Sequence, residues 1–220
     1  VDDNEQLRTA YDQVDFIQKI RFDASEFFSC KMNLQVSSTT NLNRFDQLND
    51  FSNSQPKFEE WYYGPQKRLL LGLGAEHQKK NFFYDNFNNT ISYQQLEESR
   101  NSQRYNADLI QRTEDVFVFA NTADFIKKWD YNTLNYGVDL QHNIVHSRAT
   151  EGYSTRYADG GSDMTTISVY SQYKMPLSKR INFSTGARYS SIMLNADFNE
   201  SNTLGLPFNT IQLNLSLIHI

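Results

Sequence analysis

The stretch "TLNYGVDLQHNIV", residues 133–145, places Leu134, Tyr136, Val138, Leu140 and Ile144 at alternate positions, with Thr133, Asn135, Gly137, Asp139, Gln141 and Asn143 between them. A period of two is the signature of a strand with one apolar and one polar face. In a water-soluble protein the apolar face would rest on a core, and in an outer membrane it would meet lipid. What that face touches decides the fold.

The same alternation recurs along the chain and predicts eight strands, at 16–24, 30–37, 67–77, 83–95, 115–126, 131–145, 164–175 and 181–194. In 83–95, Asn86, Asn88, Thr90, Ser92 and Gln94 form a wholly polar face. In 181–194, Ile181, Phe183, Ala187, Tyr189 and Met193 oppose Asn182, Ser184, Gly186, Arg188 and Ser190. Only residues 1–12 are compatible with helix. Short turns are expected near Ser25 to Phe28, Lys79 to Asn81, Lys127 to Asp130 and Pro176 to Lys179, and long polar segments at 38–66, 96–114, 146–163 and from 195 onward. Short turns alternating with long loops are the layout of an outer-membrane barrel, whereas a sandwich has no reason to sort loop lengths by end. The expected fold class is therefore all-β: an antiparallel up-and-down meander of about eight long strands, forming an open segment of a large transmembrane barrel. A complete eight-stranded barrel and a secreted β-sandwich binding module are the alternatives.

Composition fits this reading. The 220 residues are 39% hydrophobic with a net charge of -5, and the mean hydropathy is -0.65. No apolar run reaches the roughly 18 residues of a membrane-spanning helix, but alternating strands escape such a test. The amino terminus, Val1-Asp2-Asp3-Asn4, has no signal-peptide pattern. Cys30 is alone, so the chain has no internal disulfide. Lys and Arg are scattered without a basic stripe, which argues against nucleic acid as a partner. The 13 Tyr, 16 Phe and 2 Trp make up 14% of the chain, an aromatic load suited to an oil–water boundary.

Five segments carry a family resemblance: "SSTTNLNRFDQL" (37–48), "EEWYYGPQKRLL" (59–70), "YQQLEESRNSQRY" (93–105), "LNYGVDLQHN" (134–143) and "STRYADGGSDMTT" (154–166). In this order and spacing they resemble the barrel of TonB-dependent outer-membrane receptors, particularly the Bacteroidetes-type forms, over about residues 13–208. Asn43 and Ala158 stand where members of that family often have proline, which bears on loop stiffness rather than on the wall. The resemblance implies the outer membrane of a Gram-negative bacterium, with lipid around the barrel. It also implies uptake of a small-molecule or metal-chelate ligand, a scarce nutrient complex such as a siderophore or cobalamin. The partners it implies, a plug domain and TonB, would act through parts of the parent protein that have no counterpart here. Residues 1–214 would then be partial barrel, with Asn135, Asp139, Gln141 and Asn143 facing the lumen. The terminal "LSLIHI" (215–220) can be read as the translation of CTG TCT CTT ATA CAC ATC, a sequencing-library transposase adapter, so the natural sequence would run to about Asn214.

No catalytic frame is visible, and neither an enzyme nor a cofactor is expected. His142 and His146 are four apart, which on a strand separates them by roughly 13 Å, too far to share one metal ion. Glu97, Glu98 and Arg100 lack a partnering His or nucleophile and read as a solvated strand end. Gly72 and Gly74 form no phosphate loop, and the sequons at Asn88, Asn182 and Asn199 read as chance matches. The candidate ligand-facing residues are Trp61, Tyr62 and Tyr63 of "WYYGP" and Arg156, Tyr157 and Asp159 of "TRYADGGSD". Aromatic and Arg side chains on outer loops suit a bulky polar ligand. Equally, the aromatic trio can be interfacial girdle, and Asp159 to Ser162 can be turn chemistry.

Overall fold

The computed structural model describes residues 9–52, 54–199 and 208–219, the last of these as backbone only. The chain begins with β1 (Gln13–Asp23) and β2 (Phe28–Thr39). Short elements follow: β3 (Leu42–Asn43), α1 (Phe45–Leu48), β4 (Phe51–Ser52), β5 (Gln55–Pro56) and β6 (Phe58–Tyr63). The long strands resume with β7 (Lys67–His77), β8 (Asn86–Arg104), β9 (Ile110–Trp129), β10 (Asn132–Ala149), β11 (Ser162–Ser178), β12 (Ile181–Ala196) and β13 (Phe208–His219). β1, β2 and β7 to β13 pair in that order, each antiparallel to the next, in one sheet that β3 and β6 join at its upper edge. Among the described residues β1 and β13 are the two ends of this path, so the meander is open, and no second layer covers it.

Register sorts the side chains cleanly. One row of direct partners runs Ile20, Met32, Leu73, Ile91, Asn121, Leu140, Ile167 and Ser191 across eight strands. Val138, Leu140, Ile167, Val169 and Phe119 share this face and are all exposed. In water such a continuous apolar face would be a liability, whereas in a bilayer it is the required outer surface. Two polar side chains on it turn back to the backbone: Asn89 donates to the carbonyl of Thr122 at 3.0 Å and Asn121 to that of Thr90 at 3.2 Å. Toward the short-turn end the face finishes in an aromatic row, Phe28, His77, Phe87, Phe125 and Tyr136, each the direct partner of the next. Phe125 stacks on Phe87 at 4.8 Å and on Tyr136 at 5.1 Å, which is the amphipathic belt expected at a membrane boundary.

The opposite face is polar and carries several internal pairs. Glu76 pairs with Lys31 at 2.7 Å, Asp139 with Arg188 at 2.7 Å, and Asp124 accepts from the Tyr170 hydroxyl. Asn135, Asp139, Gln141 and Asn143 lie here, opposite the apolar set of the same strand. Gly137 also lies here, and a Cβ on it would come within 2.4 Å of the Ala123 carbonyl and 2.5 Å of the Tyr170 hydroxyl. The ring of Tyr170 fills the space that glycine leaves.

Several expectations need correction. β8 to β12 are 16 to 20 residues long, beyond the 9 to 11 that cross a bilayer. The predicted loop 96–114 is mostly strand, with only 105–109 as turn. Residues 97–104 are polar on both faces, so hydrophobic period cannot reveal them, yet β9 and β6 supply their hydrogen bonds. The predicted loop 146–163 shrinks to 150–161 for the same reason. The expected helix at 1–12 is absent from residues 9–12, and the rest of it lies outside the described residues. β13, with its pairing to β12, adds a ninth long strand and includes residues 215–219 of the terminal run.

The predicted loop 38–66 is the largest departure. β6 pairs with β8 from Phe58↔Arg104 to Tyr63↔Arg100, and β7 continues along β8 from Lys67↔Glu97, so β6 and β7 form one strand line interrupted at 64–66. β3 continues β2 in the same way, with Leu42 opposite Tyr63. Gly64 makes the interruption, at φ +96°, a conformation that glycine adopts without strain. Its N–H donates to the Ser99 carbonyl at 3.0 Å, and its own carbonyl accepts from the Ser99 hydroxyl at 2.8 Å. The segment is therefore an upward extension of the wall, topped by α1 and the β4–β5 hairpin.

Candidate functional site

The loop end of the polar face brings three of the candidate residues, Trp61, Tyr63 and Arg156, to one region. Two rows of direct partners define it, Glu98 opposite Glu114 and, one row outward, Arg100 opposite Arg112. Like charges directly opposite on a sheet repel. The acidic row is resolved within the chain: Arg156 reaches in from the 150–161 loop, with Nη1 3.1 Å from Glu98 Oε1 and 3.1 Å from Glu114 Oε2. The Ser147 hydroxyl donates to Glu114 Oε1 at 3.3 Å, and the Glu114 residue is 1% exposed. Burial disfavours the Arg156 cation, but Glu114 and then Glu98 outweigh it and hold the guanidinium above its usual range.

The basic row is built differently. Trp61 and Tyr63, from β6, share the face of Arg100, whose guanidinium lies 5.2 Å from the Trp61 ring and 5.4 Å from that of Tyr63. Arg44, just ahead of α1, stacks on the same rings at 4.8 and 5.5 Å. Both guanidiniums donate to the Tyr63 oxygen, Arg44 at 2.8 Å and Arg100 at 2.9 Å. Arg100, against some opposing desolvation and with help from Arg44, holds this hydroxyl below its ordinary range. Arg44 is also paired with Asp46, whose carboxyl it holds low. Arg100, by contrast, has no carboxylate within ion-pair distance, and neither has Arg104 or Arg112 among the described residues.

Each sequence-predicted residue can now be placed. Trp61 is 8% exposed and, with Tyr63, lies on the polar face, away from the side where a lipid girdle would sit. Tyr62 points to the other face opposite Asn101, and burial raises its hydroxyl. Arg156 is the ion-pair bridge. Tyr157 is exposed, with its backbone N–H 3.4 Å from the Ser147 hydroxyl. Asp159 Oδ1 accepts from the Asn199 backbone at 2.8 Å and lines a separate open recess with Ser154 and Gly152. Sequence reading did not find Arg44, Arg104, Arg112, Glu114 or Tyr153. The signal for Glu114 and Arg112 was the turn "YNAD" at 105–108, which fixes their register to Glu98 and Arg100. His142 and His146 both lie on the apolar face, His142 bonded to the Thr165 hydroxyl at 2.8 Å.

No family model and no curated protein matches the sequence. Among solved structures the chain is similar to one described as "Copper transporter OprC", with a TM-score of 0.69 at 10% identity over 94% of this chain and 33% of that one. At that identity the likeness is one of fold, that of an outer-membrane barrel. The chain spans about a third of the length of the structure that it matches.

Proposed function

We propose that this chain is part of the wall of an outer-membrane receptor-transporter of the TonB-dependent class, in its Bacteroidetes-type form, and that it binds and passes a scarce nutrient complex such as a siderophore or cobalamin rather than catalysing a reaction. The observation that carries this reading is the two-faced sheet, with an exposed apolar band ending in an aromatic row and a polar face crowned by an ordered Arg–aromatic cluster. A sandwich would need a second sheet over Val138 and Leu140, and a closed eight-stranded barrel would need pairing between β1 and β12. Among the described residues neither occurs. Plug and TonB contacts would come from other parts of the parent protein.

The test uses the full-length protein in its own cells. It is expected in the outer-membrane fraction, extractable only with detergent, and its deletion should abolish energised accumulation of one chelate class in the same way as deletion of TonB. A folded monomer soluble without detergent, or uptake indifferent to TonB, would overturn the reading.

A further inference from the structure

The Arg100–Arg112 row borders a recess of about 480 Å³ on the polar face, walled by Phe58, Trp61, Arg100, Arg104, Arg112 and Tyr153. Three features single it out. First, the chain resolves the neighbouring Glu98–Glu114 repulsion with its own Arg156 but leaves the Arg100–Arg112 repulsion unresolved. Second, Nε of Arg100 is buried without a hydrogen-bond partner, so this cation is under-paired within the chain. Third, Arg104 lies two residues beyond Ser102 on the same face, its guanidinium 5.8 Å from the Phe58 ring, so three cations meet three aromatic walls. Arg112 is fixed by donation from Nε to the Ser154 carbonyl at 2.9 Å, which leaves its two terminal nitrogens for another acceptor. Asp108, at the rim, forms no ion pair with any of the three.

We infer that this recess binds an organic anion that carries two or more carboxylate-type oxygens on or beside a flat ring. This rests on the receptor reading above and specifies its ligand. Guanidinium forks match carboxylate pairs in geometry and charge, and the aromatic walls of Phe58 and the exposed Tyr153 favour a planar group over a hydrated aliphatic one. An anion between Arg100 and Arg112 would do for the basic row what Arg156 does for the acidic one.

The probe is trimesate, a benzene tricarboxylate, titrated calorimetrically into the detergent-purified full-length protein, with its neutral triamide and the ring-free anion citrate as comparisons. Trimesate should bind most tightly, citrate more weakly, and the triamide not measurably. Arg112→Gln should weaken trimesate by about tenfold or more, as loss of a charge-assisted pair requires. Arg148→Gln, a cation on the opposite face paired with Asp115 at 2.5 Å, should leave binding unchanged. Because Arg112→Gln relieves a like-charge contact and gives up the bond to the Ser154 carbonyl, the ligand-free variant should melt close to wild type while losing the stabilisation by trimesate. Equal affinity of wild type and Arg112→Gln, or equal affinity for acid and amide, would overturn the inference. These measurements need no transport, so binding without TonB-dependent uptake would sink the receptor reading alone. TonB-dependent uptake by the wild type with no trimesate binding to it would sink the recess alone.

Discussion

Val138 is 44% exposed on the apolar face, and Arg placed there should cost about 2 to 4 kcal/mol near the bilayer midplane. Asp139 is a poor control, because its pairing with Arg188 would be lost and replaced by repulsion. Gln141 serves better, since it lies on the polar face and its side chain, among the described residues, bonds to the neighbouring Asn143. In urea unfolding from liposomes, Val138→Arg should lower stability by that amount and Gln141→Arg by well under half of it. Equal losses would mean that the faces are inverted. Gly137 offers a second test: Gly137→Ala must push against the Ala123 backbone and the Tyr170 ring at once. The expected loss is roughly 1 to 3 kcal/mol, typical of overpacking, and an unchanged unfolding midpoint would refute the close packing. The face of each residue in 133–145 was legible because period two needs no knowledge of neighbours. The Tyr170 packing and the Asp139–Arg188 pair were not legible, because both depend on the register of other strands.

At the scale of the element, strand length separates what lies in lipid from what lies above it. Tyr136 to Ile144 is nine residues, within the roughly 9 to 11 that a tilted strand needs to cross a bilayer. The outer part of β10 then continues to Ala149, with β8 and β9 beside it. On the lipid side of this extension stand His146, Asp115 and Arg148, which belong in water. With Cys30 replaced by Ser, Arg148→Cys should react with a membrane-impermeant maleimide on intact cells, whereas Leu140→Cys should not. Labelling of both, or of neither, would contradict this division. The sequence read correctly the strands whose lipid face demanded apolar residues, and failed where both faces are wet, as at 97–104. β3, α1 and β6 were hidden for another reason: they are short, and the Gly64 interruption breaks the alternation that would have linked β6 to β7.

At the scale of the whole molecule, β1 has a partner on one side only among the described residues, and every residue of β1 is exposed. In hydrogen exchange on the chain held in detergent, β1 amides should lose protection first and those of β8 and β9 last. Uniform protection would indicate that β1 has found a second partner. Every long strand also pairs with the next long strand in the chain, and β6 departs from this only by standing where β7 would otherwise extend. Pairing of this kind joins neighbours in the chain, with residues 40–66 between β2 and β7 the longest connection it closes, so each hairpin added costs little chain entropy and the contact order stays low for so large a sheet. The molecule is in this sense a zipper, able to grow strand by strand as it enters the bilayer, and such a wall can be lengthened or shortened by whole hairpins without disturbing the strands already laid down.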